Sequence, residues 1–214
     1  MTSQAIKSGS PDFFGFVGLP RKLNIDAADL EQRYRALSRQ YHPDYFYNAP
    51  AAERRASLER SSYLNDAYRT LKNPITRVEY LLTLEGLAPK SAGQDAARPG
   101  AADGAGNQAV PAALLEEVFA LNEELDEIRD ERAGGAPSEA WKARLERARV
   151  PIDAKREAHE ADLTALSKRW DALVDAGASD AQRRPILEAL RDRILERNYI
   201  NNLLAGIQRE LDGA

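Results

Sequence analysis

The sequence predicts an all-α protein built of two helical parts joined by a flexible segment. Three observations predict it. Ala, Leu, Glu and Arg dominate the 214 residues while β-branched residues are few. Apolar side chains recur at steps of three and four in every long segment, and no segment offers a convincing strand pattern. A hydrophobic content of 43% is enough for a packed core.

Phe13, Phe16 and Val17 stand at helical spacing and are followed by Gly18 and Pro20, which predicts a short apolar helix with a hard stop. Asp26 is placed to cap the next helix, with Asp29 in its electropositive first turn. Leu30, Tyr34, Leu37 and Tyr41 then step by 4, 3 and 4, giving one apolar face. At 100° per residue, Arg35 and Arg39 fall nearly opposite that face and Arg33 lies on its flank, so the exposed side of the helix is basic. Tyr41-His42-Pro43-Asp44 must end the run: proline fixes its own φ and drives His42 out of the α region, so the bend displays His42 and Asp44.

A third helix is expected over Ala51 to Leu71, with Leu64, Ala67, Tyr68 and Leu71 on one face. Asn73 caps a fourth that has Pro74 in its first position, Ile75, Val78, Leu81 and Leu82 inside, and Gly86 beyond its end. The two long helices around the bend should pair as an antiparallel hairpin. Ala88 to Gln108 has no large apolar side chain and reads as a coil with a reach of roughly 25 Å. The expected organisation is therefore residues 1–87, a linker at 88–110, and a second domain at 111–214.

In that second part Leu114, Val118, Leu121, Leu125 and Ile128 form a seam ending at Gly134-Gly135. Ser138 starts a second helix, with Trp141, Leu145, Ala148, Ile152, Leu163, Leu166, Trp170 and Leu173 inward and a kink or break expected at Pro151. After Gly177 a third helix begins near Ser179 or Asp180 and carries Ile186, Leu190, Ile194, Ile200, Leu204, Ile207 and Leu211. Three helices with short connections predict an antiparallel bundle.

Composition removes several function classes. With 30 basic against 34 acidic residues and a net charge of −4, the chain lacks the overall footprint of a nucleic-acid binder. It has no cysteine, hence no disulfide, thiolate metal site or cysteine nucleophile. No apolar run nears the roughly 20 residues of a membrane span, and Met1 to Ser10 lacks a signal-peptide core, so a cytoplasmic protein is expected. There is no GxxxxGK[ST], HExxH or GxSxG. His42 and Asp44 have no evident third metal ligand, and His159 falls in phase with Ile152 and Leu163 as a seam residue, so neither a metal, a cofactor nor a catalytic site is expected.

Two candidate surfaces remain. One is the bend with its arginine face; the ordinary alternatives are a helix-ending Pro-Asp turn and a solvated surface. The other is apolar. Leu115 and Phe119 lie about 100 to 140° from the centre of their helix seam, rimmed by Glu116, Glu123, Asp126 and Glu127, while Tyr199 and Leu203 flank the seam of the last helix. They form either a patch with an acidic rim or the edge of a wide core stripe.

His42-Pro43-Asp44 between two amphipathic helices, with a short helix on either side, resembles a J domain over Asp12 to Gly86. Such modules stimulate ATP hydrolysis by DnaK-class chaperones. More narrowly, Asp12-Phe13-Phe14, Gly18-Leu19-Pro20, Arg39 to Asp44, Asn65 to Tyr68, Pro74 to Arg77, Glu79 to Leu82 and Asn122 to Ile128 resemble the HscB family. The resemblance implies a non-enzymatic co-chaperone of iron–sulfur cluster biogenesis, delivering an IscU-type scaffold to an HscA-type chaperone. It implies chaperone docking through His42, Pro43, Asp44 and the basic face of Arg33, Arg35 and Arg39. It implies scaffold binding through Leu115, Phe119, Glu123, Glu127 and Tyr199. The chain departs from the pattern at Tyr45, where many relatives have Lys, and at Glu116, where Met is common. Two other readings stand beside it: a J-domain protein whose bundle takes a different client, and a helical adaptor or nucleic-acid binder using Arg33, Arg35 and Arg39.

Overall fold

The computed structural model describes residues 12–88, 112–135 and 137–212; the side chains of 112–118 and Ser138 are outside that description, as is nearly all of the expected linker 88–110. The described residues are helical and contain no strand: α1 (Phe13–Phe16), α2 (Ala27–Gln40), a 3-10 turn (Pro43–Phe46), α3 (Ala51–Lys72), α4 (Pro74–Leu84), α5 (Ala112–Ala133), α6 (Ser138–Asp175) and α7 (Asp180–Asp212). None of these helices is long and apolar enough to cross a membrane. The chain divides into two compact units, Met1–Ala88 with Leu166–Leu187, and Pro89–Ala165 with Glu188–Ala214.

Local chemistry sets the helix ends of the first unit. The Asp12 carboxylate accepts the Gly15 amide at 2.9 Å, Asp26 accepts that of Ala28 at 2.8 Å, and Asn73 Oδ1 accepts that of Ile75 at 2.8 Å ahead of Pro74. Each cap satisfies a donor that the first helical turn leaves orphaned. At Gly18 φ is +72°, and an added Cβ would sit 3.1 Å from the Arg33 guanidinium, so strain and crowding both select glycine. Phe14, Val17, Leu30, Leu64, Ala67 and Leu71 form the core, with Phe13, Tyr34, Leu37, Tyr41, Tyr68 and Tyr80 packed around it.

Tyr80 stacks on Phe13 with ring centroids 4.4 Å apart, and its hydroxyl oxygen accepts the Phe13 amide at 2.9 Å. Burial pushes the Tyr80 hydroxyl up to about 12. A raised folded-state value means that the neutral phenol is favoured in the fold. Its contribution is complete below the unfolded value near 10 and is lost as pH rises towards 12. Urea melts at pH 9 and 11.5 should therefore show an alkaline loss of stability that shrinks in Tyr80→Phe, which at pH 9 costs about 1 kcal/mol for the abandoned Phe13 amide.

Leu166–Leu187 belong to the first unit and form a helical hairpin tip. Gly177, with φ +63°, turns the chain, and ahead of α7 the Ser179 amide and hydroxyl both donate to Gln182 Oε1, at 2.9 and 3.0 Å. Trp170 is fully buried and its indole N–H donates to the Arg21 carbonyl at 2.8 Å. The Asp171 carboxylate accepts the amides of Leu23 at 2.6 Å and Asn24 at 2.9 Å. From the other side the buried Arg77 guanidinium donates to the carbonyls of Leu71 at 2.6 Å and of Leu23. Burial lowers the Arg77 pKa, and the nearby Asp171 charge opposes that shift. The loop between α1 and α2 has no secondary structure, so these side chains supply the hydrogen bonds that a helix would give its own backbone.

The core of the second unit is Leu121, Leu125 and Ile128 of α5, Trp141, Leu145 and Ile152 of α6, and Ile200 and Ile207 of α7. Its α6 part passes through Pro151 without a break. His159 is buried, as its phase predicts, and its Nε2 lies 2.6 Å from the Arg193 carbonyl.

Candidate functional site

In the first unit α2 ends at Gln40, and Tyr41 closes it with its amide donating to the Leu37 carbonyl at 2.9 Å. His42 is extended (φ −62°, ψ 126°), as a residue before proline must be, and it caps the 3-10 turn opened by Pro43. The Asp44 amide donates to His42 Nδ1 at 3.3 Å, with Asp44 Oδ2 3.5 Å from the same nitrogen. The side chains are 48% exposed at His42 and 86% at Asp44. The turn is pinned from behind: Ser57 Oγ of α3 donates to the Tyr41 carbonyl at 2.8 Å, and the Arg60 guanidinium lies 5.7 Å from the Tyr41 ring centroid.

The three arginines of α2 differ in their engagement. The Arg33 Nε donates to Asp29 at 2.9 Å, while its Nη1 reaches the Gly18 carbonyl at 2.7 Å, which makes it a strut between α2 and the loop after α1. Arg35 pairs with Glu31 at 2.5 Å. Arg39 is exposed and has no hydrogen-bond or ion-pair partner among the described residues; it shares an open depression of about 200 Å³ with Ser38, His42, Asp44 and Tyr45. A second depression, about 590 Å³, also adjoins the turn and is lined by Pro43, Asp44, Tyr47, Asn48, Arg54 and Leu58. Sequence phase did not single out Tyr47, Arg54 or Leu58. Leu58 sits six residues before Leu64, out of register with the buried face of α3, and that offset was the available signal.

In the second unit Phe119 is 70% exposed, an unusual cost for a large aromatic. Glu123 and Glu127 are exposed and follow it at steps of four along α5, while Tyr199 of α7 is half-buried. Leu115 lies four residues before Phe119 on the same helix, but its side chain, like that of Glu116, is outside the described residues. Arg144 of α6 lies against this acidic side. Its Nε donates to Glu124 at 3.2 Å, its Nη2 to Glu127 at 2.8 Å and its Nη1 to Glu131 at 2.7 Å. Those bonds, Glu127 first, raise the Arg144 pKa. Sequence reading missed Arg144, although Glu124, Glu127 and Glu131 at spacings of three and four mark a face that wants a cation.

Among the described residues no group of three or more His, Asp or Glu side chains could hold a metal ion. One unit displays a polar turn beside Arg39, and the other an exposed aromatic followed by carboxylates.

Residues 12–80 match the DnaJ domain family. Among solved structures, the chain is similar to chaperone HscB from Vibrio cholerae, with 24% identity over 95% of this chain and 99% of that one at a TM-score of 0.58. It is also similar to human co-chaperone protein HscB, with 23% identity over 96% of this chain and 85% of that one at a TM-score of 0.57.

Proposed function

Starting from a J-domain protein with the fold of the HscB chaperones, we propose that this chain is a co-chaperone of iron–sulfur cluster biogenesis. It stimulates the ATPase of an HscA-type, DnaK-class chaperone and delivers an IscU-type scaffold protein to it. The observation that carries the reading is the turn at His42-Pro43-Asp44, fixed by its own cap and by Ser57 yet open to solvent, on a chain that also exposes Phe119 beside carboxylates. Hydrolysis belongs to the partner, and this chain acts as a non-catalytic regulator. To stimulate, it must bind one conformational state of the chaperone better than another.

His42, Pro43, Asp44 and Arg39 are the docking residues; Arg33 and Arg35 shape and charge the same helix from within their pairs with Asp29 and Glu31. Leu115, Phe119, Glu123, Glu127 and Tyr199 line the face on which the scaffold is received. The nucleic-acid reading has less support, because the chain carries a net charge of −4 and two of its three arginines are engaged with acidic neighbours.

The test is a reconstitution of chaperone, ATP, scaffold and this chain. ATP turnover should rise with this chain alone and rise further with scaffold. A basal rate in both mixtures would refute the proposal, and stimulation without any scaffold capture would leave a J-domain protein with another client.

A further inference from the structure

We propose that Arg144 is a specificity-determining residue for scaffold binding: it withholds Glu127, so that Glu123 carries the ionic contact and sets which cationic surface the face accepts. This rests on the scaffold-binding reading of α5. Phe119, Glu123 and Glu127 stand at i, i+4 and i+8, one ridge of the helix that runs from aromatic to acidic. By type and spacing the two glutamates are equivalent. The structure separates them.

Glu127 accepts from Arg144 Nη2 at 2.8 Å, while Glu123 is exposed with no partner among the described residues. Three separate carboxylates occupy the guanidinium fork, so one positive charge is distributed over three negative ones. A lysine or arginine of a partner that approaches Glu127 finds one carboxylate oxygen already bonded to a resident cation, whose charge offsets part of the attraction. At Glu123 no such competitor stands among the described residues. Arg144 is also only 23% exposed, which keeps its fork in place, whereas the side chains of Glu127 and Glu131 reach solvent. The ridge therefore reads a partner with one basic residue opposite Glu123 and discriminates against a partner that places its charge one helical turn further on.

The experiment titrates the full chain with the IscU-type scaffold at two salt concentrations. Phe119→Ala tests the underlying reading, and unchanged affinity there removes the reading and this proposal together. With Phe119→Ala weakening the complex, Glu123→Gln should weaken binding about three- to fivefold and Glu127→Gln less than twofold. Arg144→Gln should tighten binding about three- to fivefold and steepen its salt dependence, because Glu127 is released. That gain should vanish in Arg144→Gln/Glu127→Gln and be absent in Arg144→Lys, which restores the charge. A merely structural arginine would shift the melting temperature without changing the salt slope. Equal losses for Glu123→Gln and Glu127→Gln, or an Arg144→Gln protein that stays folded and binds no tighter, overturns the proposal.

Discussion

Trp170→Ala should remove about 3–5 kcal/mol from the first unit, the usual range for deleting a fully buried indole. The residue is inaccessible to solvent, so the whole side-chain volume becomes a cavity or a collapse. Its N–H is also the donor for the Arg21 carbonyl, and the loss leaves that acceptor to find water inside the unit. Arg183, 5.8 Å above the ring, loses its aromatic face as well. Against a typical domain stability of about 5–15 kcal/mol, a change of this size removes a large fraction. Urea denaturation followed by far-ultraviolet circular dichroism checks it. Trp170→Phe separates the terms: it retains most of the packing and lacks the indole donor, so it should lose only about 1–3 kcal/mol. A Trp170→Ala protein as stable as the wild type would show that the hairpin tip contributes nothing to the unit.

His42→Gln should abolish chaperone stimulation while leaving the fold in place. The side chain is half exposed and makes one weak capping bond, at 3.3 Å, so its removal costs stability about 1 kcal/mol or less. Recognition has more to lose. A ring beside Asp44 and Arg39, on a turn whose shape is set by Pro43, is preorganised, and a contact of this kind at the centre of an interface is worth about 2 kcal/mol or more. That corresponds to roughly a 30-fold loss in affinity for the chaperone state that is bound. Single-turnover ATPase rates against concentration of this chain measure it. His42→Asn distinguishes two roles, because asparagine supplies a capping oxygen for the Asp44 amide without an imidazole. Rescue by asparagine would make His42 a cap; continued loss makes it a contact.

Much of the first unit could be read from the chain because its signals are local. Asp26, Asn73-Pro74, Gly18 and Gly86 each act within a few residues, and the proline at 43 dictates the conformation of His42 without outside help. What the sequence did not disclose is which partner a buried face meets. Helical phase correctly placed Trp170 inward, but phase has no term for the partner, and the indole packs in the first unit with the loop at Arg21. The basic face of α2 shows the same limit from the polar side. A helical wheel counts Arg33 as surface charge, whereas its reach to the Gly18 carbonyl depends on a loop fifteen residues earlier. Arg77, mid-helix and charged, gave no sign that it would be buried against backbone carbonyls. At Pro151 the expectation was a kink or a break, and the helix is not broken: the proline removes one amide from α6, yet the helix continues. At the recognition surfaces, residue types and spacing were legible for Phe119, Glu123 and Glu127. The difference between the two glutamates was not, because it is made by an arginine on another helix.

The clamp on the loop between α1 and α2 also has a consequence in time. Leu23 and Asp171 are 148 residues apart, and Arg21 and Trp170 are 149 apart. Synthesis at about 5–20 residues per second separates their emergence by roughly seven to thirty seconds. During that interval the nascent loop has neither its indole nor its carboxylate, and the amides of Leu23 and Asn24 remain with water. The loop is thus made well before it can be completed, and its final hydrogen bonds wait on a hairpin tip that emerges about 150 residues later.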